Sequence, residues 1–188
     1  MHHKIFAMEL CILMRDEGLS RQLREIVRNH PRSVSFAEKW EMYRTVRKLL
    51  VAHINDVVKG CWDFFDENSK AQSDFNMWCE GLFTEEGARA VPSGTGDPRS
   101  DPRYMTFTMA FLLQASAPSV ESLSLRCNIP EAKLWKRETF AYLLEHLGHL
   151  NFGSVKGDVV YVIPGADGWA LTNEDLALEK FHYFRVVE

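Results

Sequence analysis

The stretch that most constrains this chain is Ser119–Pro164, where signals for helix, break, helix and strand follow one another. Val120, Leu123 and Leu125 supply an apolar side for one or two helical turns, although Ser122 stands where a capping box starting at Ser119 would want Glu or Gln. Asn128-Ile129-Pro130 then breaks the helix, because the residue before a proline is pushed out of the α region. Pro130 suits the first turn of a new helix, where its missing N–H is not needed. From Glu131 to His149 no glycine or proline intervenes before Gly148, and Phe140, Leu143, Leu144, Leu147 and Leu150 recur at steps of three and four. That spacing predicts an amphipathic helix, with Lys133, Lys136 and Arg137 off its apolar stripe. Beyond it, residues 151–156 and 158–163 flank Lys156-Gly157-Asp158, and the run Val159–Ile163 favours strand. A short polar loop with glycine between two such runs predicts a β-hairpin. Trp169–Thr172 reads as a third short strand.

The remainder of the chain reads as helical. Ile5–Met14 is apolar on nearly every side, the pattern of a helix buried all round or covered by a partner subunit. Leu19, Leu23, Ile26 and Val27 form a cleaner stripe, with Arg21, Arg24 and Arg28 outside it. Ser35 with Glu38 is a capping box, and the stripe Phe36, Trp40, Tyr43, Leu50, Ile54, Val57, Cys61 predicts one long helix to about Phe65. A break near Glu67–Ser69 and a third helix follow, and Thr84-Glu85-Glu86 suits one more short turn. Pro92–Pro102, rich in proline, glycine, serine and aspartate, predicts a linker or mobile loop. Tyr104–Ala117 reads as a helix stopped by Pro118, and Thr172 with Asp175 as the cap of a terminal helix. The expected organisation is a helical region over 1–91 that suits dimerisation, a linker or mobile loop over 92–102, and a second domain with a C-terminal helix over 103–188.

The phrase "NIPEAKLW…YLLEHLGHLNF", with Tyr104–Ala117 as a first helix, resembles the winged helix-turn-helix superfamily over about residues 104–172. The resemblance implies a mainly α fold: an N-terminal helical bundle joined to a winged helix with a small β-hairpin wing. It also implies a DNA-binding, dimeric transcriptional regulator, with Arg126, Lys133, Lys136, Arg137, Thr139 and Lys156 meeting the major groove and neighbouring phosphates. The alternative is a non-enzymatic protein–protein adaptor, since fold does not fix function. Against DNA stands the charge of residues 100–188, eight Lys and Arg facing eleven Asp and Glu.

Hydrophobic residues make up 46% of the chain and aromatics 12%, enough for a substantial core. Trp62, Phe65 and Trp78 read as helix–helix core or, more sharply, as the walls of a ligand pocket. Cys11, Cys61, Cys79 and Cys127 form no C-x-x-C pair, which speaks for reduced thiols in a cytoplasmic protein and against a zinc site. No catalytic motif and no cofactor signature is present. His146 and His149 lie at a helix end, where histidine more often caps carbonyls than binds metal, and His53 reads as a core or interface residue. No run is long enough to span a membrane.

Overall fold

The computed structural model describes residues 2–15, 17–29, 35–80, 91, 92, 97 and 99–188. Its centre is a five-stranded antiparallel sheet with helices on both faces, which corrects the expected mainly α architecture to a mixed α and β fold. The strands are β1 (His3–Leu13), β2 (Val57–Phe65), β3 (Val91–Pro92), β4 (Tyr104–Gln114), β5 (Val155–Ile163), β6 (Trp169–Ala170) and β7 (Arg185–Val186). In the main sheet their order is β5-β4-β1-β2-β7, and β3 pairs separately with β6.

The correction has a simple cause. Every residue from Ile5 to Ile12 is buried, and so is every residue from Met105 to Leu113. Side chains alternate between the faces of a strand. Phe6, Met8, Leu10 and Ile12 enter one core, while Ile5, Ala7 and Cys11 enter the other. A strand covered on both faces is apolar at nearly every position, so the period-two signal vanishes and the run imitates a buried helix.

One core is covered by α1 (Glu17–Arg28), α2 (Phe36–Ala52), α4 (Pro118–Arg126) and α5 (Arg137–Leu147), through Leu23, Val46, Val120 and Phe140. The other is covered by α3 (Asn68–Glu80) and by the chain after α6 (Asn173–Leu176), through Phe75, Phe181 and Phe184. The capping box of α2 is formed as expected: Ser35 Oγ accepts the Glu38 N–H, and Glu38 Oε2 accepts the Ser35 N–H at 3.1 Å. The helix stops at Ala52, however. A 3-10 turn, Ile54–Asp56, leads into β2, so the long helix predicted to Phe65 is a helix followed by a strand. The predicted third helix is present as α3. Thr172 and Asp175 form the terminal cap, but α6 is only four residues long.

The winged-helix elements are replaced in turn. Tyr104–Ala117 is mostly strand β4. The helix predicted from Glu131 is a 3-10 turn, Glu131–Lys133, followed by α5. The expected hairpin is the single strand β5, in which Gly157 pairs with Leu112 and Asp158 accepts hydrogen bonds from Lys39 Nζ at 2.5 Å and Tyr43 Oη at 3.0 Å. Strands from both sides of the predicted linker join in one sheet, with β1 paired to β4 from end to end. Within that stretch Asp97 accepts the Arg99 N–H and the Ser100 hydroxyl. Residues 93–96 and 98, and the turn expected at Thr84-Glu85-Glu86, lie outside the described residues.

Gly60 lets α5 approach the sheet. A Cβ there would lie 2.9 Å from Phe140 Cε1 and 3.2 Å from the Glu9 carbonyl oxygen. Gly60→Val is therefore expected to cost about 2–3 kcal/mol through overpacking, read as a lower urea midpoint with unchanged m-value.

Candidate functional site

The six residues expected to meet DNA do not form one exposed surface. Thr139 is buried, and its hydroxyl donates to the Lys133 carbonyl at 2.7 Å. Lys136 Nζ is paired with Glu188, and the Arg137 N–H donates to the Glu188 carbonyl at 2.7 Å. The Arg137 Nε is shielded from solvent and has no hydrogen-bond partner among the described residues. Arg126, at the end of α4, donates to Tyr142 Oη at 3.4 Å. Lys133 and Lys156 are exposed.

The expected aromatic pocket also divides. Trp62 packs against the core that contains Phe140, whereas Phe65 and Trp78 pack against the core that contains Phe75. Two positions of opposite parity on one strand face opposite ways. Phe65 instead lies under the Lys70 ammonium, 3.6 Å from its ring centroid.

Trp62 has a different aromatic neighbour. Together with Phe64 and Trp135 it walls an open groove of about 520 Å³, completed by Asp63, Asp66, Ser124, Cys127, Asn128 and Leu134. The Trp62 indole N–H donates to the Leu134 carbonyl at 2.9 Å, which fixes its ring against the segment between α4 and α5. Nothing local in sequence announces this pairing, since Trp62 and Leu134 stand 72 positions apart.

The groove follows an uncovered sheet edge. β7 pairs with β2 only at Lys59 and Gly60, and the Val187 N–H donates to the Val58 carbonyl at 3.0 Å. In an antiparallel ladder alternate residues turn both backbone groups to the same neighbour. Gly60 faces β7, so Trp62 and Phe64 turn theirs outward, beyond the end of β7. The Phe64 N–H is taken by Asp63 Oδ1 at 3.0 Å. The outward backbone groups of Trp62 and the Phe64 carbonyl have no partner among the described residues. The C-terminal segment bounds this place: the Glu188 N–H donates to the Trp135 carbonyl at 3.1 Å.

A second unusual centre lies inside the sheet. Tyr161, Thr108, Glu9 and Cys61 stand side by side across β5, β4, β1 and β2. Glu9 is 1% exposed. Burial pushes its carboxyl up to about 7, opposed by the Tyr183 hydroxyl, which donates to Oε2 at 2.7 Å, and by the nearby Thr106 and Thr108 hydroxyls. Neither threonine hydroxyl makes a well-formed hydrogen bond among the described residues. Burial also pushes the Cys61, Tyr161 and Tyr183 groups up, so they stay neutral.

His53 closes α2 as its C-cap, and its Nδ1 lies 3.3 Å from Asp56 Oδ2; Asp56 also accepts from Arg15 Nε at 2.5 Å. These three residues line a small pocket of about 240 Å³. The His146 imidazolium is disfavoured by burial and by Arg126, and the ring stacks edge-on with Tyr142 at 4.3 Å. Among the described residues no group of three or more His, Cys, Asp or Glu is placed to hold a metal ion, and all four cysteines are free thiols. No described helix is long and apolar enough to cross a membrane.

The chain matches no protein-family model, no curated protein and no solved structure.

Proposed function

We propose that this protein is a binding module that takes an extended peptide segment along the groove between β2 and Trp135. The carrying observation is the coincidence of an aromatic groove with a stretch of strand edge where the Trp62 backbone groups and the Phe64 carbonyl have no partner among the described residues. Strand addition obtains affinity from such main-chain groups and specificity from adjoining side-chain pockets. Trp62 and Trp135 are the residue type that most often anchors an interface. An exposed sheet edge is usually blunted by charge, cover or a partner, and here Asp63 blunts only the Phe64 N–H. Duplex DNA is the weaker fit, because Thr139 is buried and Lys136 is already paired.

The test is selection of peptides from a random library on the full chain, followed by NMR titration. Selected peptides are expected to shift the amide signals of residues 62–64 and 134–135. They are also expected to bind Trp135→Ala about tenfold more weakly, the loss of one interface anchor. Peptides that shift signals elsewhere, or a selection that yields none, would overturn the reading.

A further inference from the structure

We infer that the segment this groove takes carries a lysine or arginine side chain, an inference that rests on the groove reading above. The groove lining contains two acidic residues, Asp63 and Asp66, and no basic one. Asp63 Oδ1 sits on the Phe64 N–H, which places its carboxylate at the strand edge. Burial disfavours that carboxylate's charge; the same backbone N–H and, more distantly, Lys70 favour it. Neither Asp63 nor Asp66 is in an ion pair among the described residues. Both carboxylates are exposed and held in no ion pair, so an arriving cation complements them and an anionic segment would meet repulsion instead.

The walls favour the same class. Indole and phenyl faces attract cations, and this wall already holds one: Lys4 Nζ lies 5.8 Å from the Phe64 ring centroid and donates to Ser124 Oγ at 3.4 Å. Lys4 and Lys70 stand against Asp63, Asp66 and Asp74, so the surroundings of the groove keep a net negative charge. The pattern is therefore a place for a cationic side chain among aromatic rings and carboxylates, beside the β2 edge.

The experiment titrates the full chain with three short peptides of alternating threonine and valine that differ only at the centre: lysine, norleucine or glutamate. Tryptophan fluorescence reads affinity, and amide shifts of residues 62–64 read location. The lysine peptide is expected to bind about tenfold more tightly than the norleucine peptide, and the glutamate peptide most weakly. Asp63→Asn, which keeps the acceptor for the Phe64 N–H, is expected to cut the lysine advantage over norleucine to below about threefold. Asp66→Asn repeats the measurement should Asp63→Asn unsettle the strand edge. Lys4→Met, which removes the resident ammonium, is expected to strengthen lysine-peptide binding. Equal binding of lysine and norleucine peptides at the groove overturns the cationic class while leaving the groove standing. If none of the three peptides, nor any library peptide, moves residues 62–64, the groove itself falls.

Discussion

Tyr183→Phe is expected to destabilise the protein by about 2–3 kcal/mol at pH 8 and by about 1 kcal/mol at pH 5. The difference comes from the ionisation of Glu9. At pH 8 the buried carboxylate is charged and the Tyr183 hydroxyl is its one well-formed hydrogen-bond donor among the described residues. At pH 5 the carboxyl is protonated, and only a neutral hydrogen bond is lost. The parent protein carries the same signature more weakly. The Glu9 carboxyl is raised to about 7 in the folded state, against an ordinary value of 4.5. Its contribution is then fully present below the ordinary value and is lost as pH rises through about 7. Stability should fall by roughly 1.4 kcal/mol between pH 6 and pH 8 from this group alone. In Glu9→Gln that slope should disappear, and in Tyr183→Phe it should steepen. Urea midpoints across pH 5–8 decide among these outcomes. A flat profile in the parent protein would show that Glu9 is hydrated.

Removal of residues 183–188 is expected to cost about 5 kcal/mol, enough to unfold a domain of ordinary stability. Phe184 and Val187 are both buried, and they enter different cores, one on each side of the sheet. Each large apolar side chain contributes roughly 1.5–3 kcal/mol on burial. The segment also supplies β7, the Tyr183 hydrogen bond to Glu9 and the Glu188 contacts with Trp135, Lys136 and Arg137. The control is Val186→Ala: Val186 is 64% exposed, so its loss should move the midpoint by less than about 0.5 kcal/mol. Circular dichroism and a thermal melt of the shortened chain read the outcome. A truncated protein that melts with the parent would show that the segment is only laid over the surface.

The parts of this fold that could be read from sequence are those whose signals are local. Ser35 with Glu38 and Thr172 with Asp175 are capping boxes in the structure as in the sequence. The stripe of Phe140, Leu143, Leu144 and Leu147 is the buried face of α5, and the β-branched run at Val159–Ile163 lies in a strand. The errors arose where burial on two faces erased periodicity, in β1 and β4. They arose again at His53–Asp56, where a helix gives way to a strand with no proline to mark the change. Arg24, placed outside its helix's apolar stripe, is buried because the Pro164 and Trp169 carbonyls accept from its guanidinium. The groove was half legible. Trp62 stood out by type, but its partners Trp135, Ser124 and Asn128 come from a segment that only tertiary packing brings near. Glu9 was visible only as a charge interrupting an apolar run, and nothing in the run names Tyr183.

The strand order has a consequence for how the chain is made. β1 is the middle strand of the sheet, yet its neighbours β2 and β4 follow it by dozens of residues. During synthesis at roughly 5–20 residues per second, this apolar strand waits several seconds before both of its edges can be paired. Until then it offers two open edges and two greasy faces, the features that recruit chaperones or seed aggregates. Slow refolding from denaturant and strong concentration dependence of the recovered yield should follow from this ordering alone.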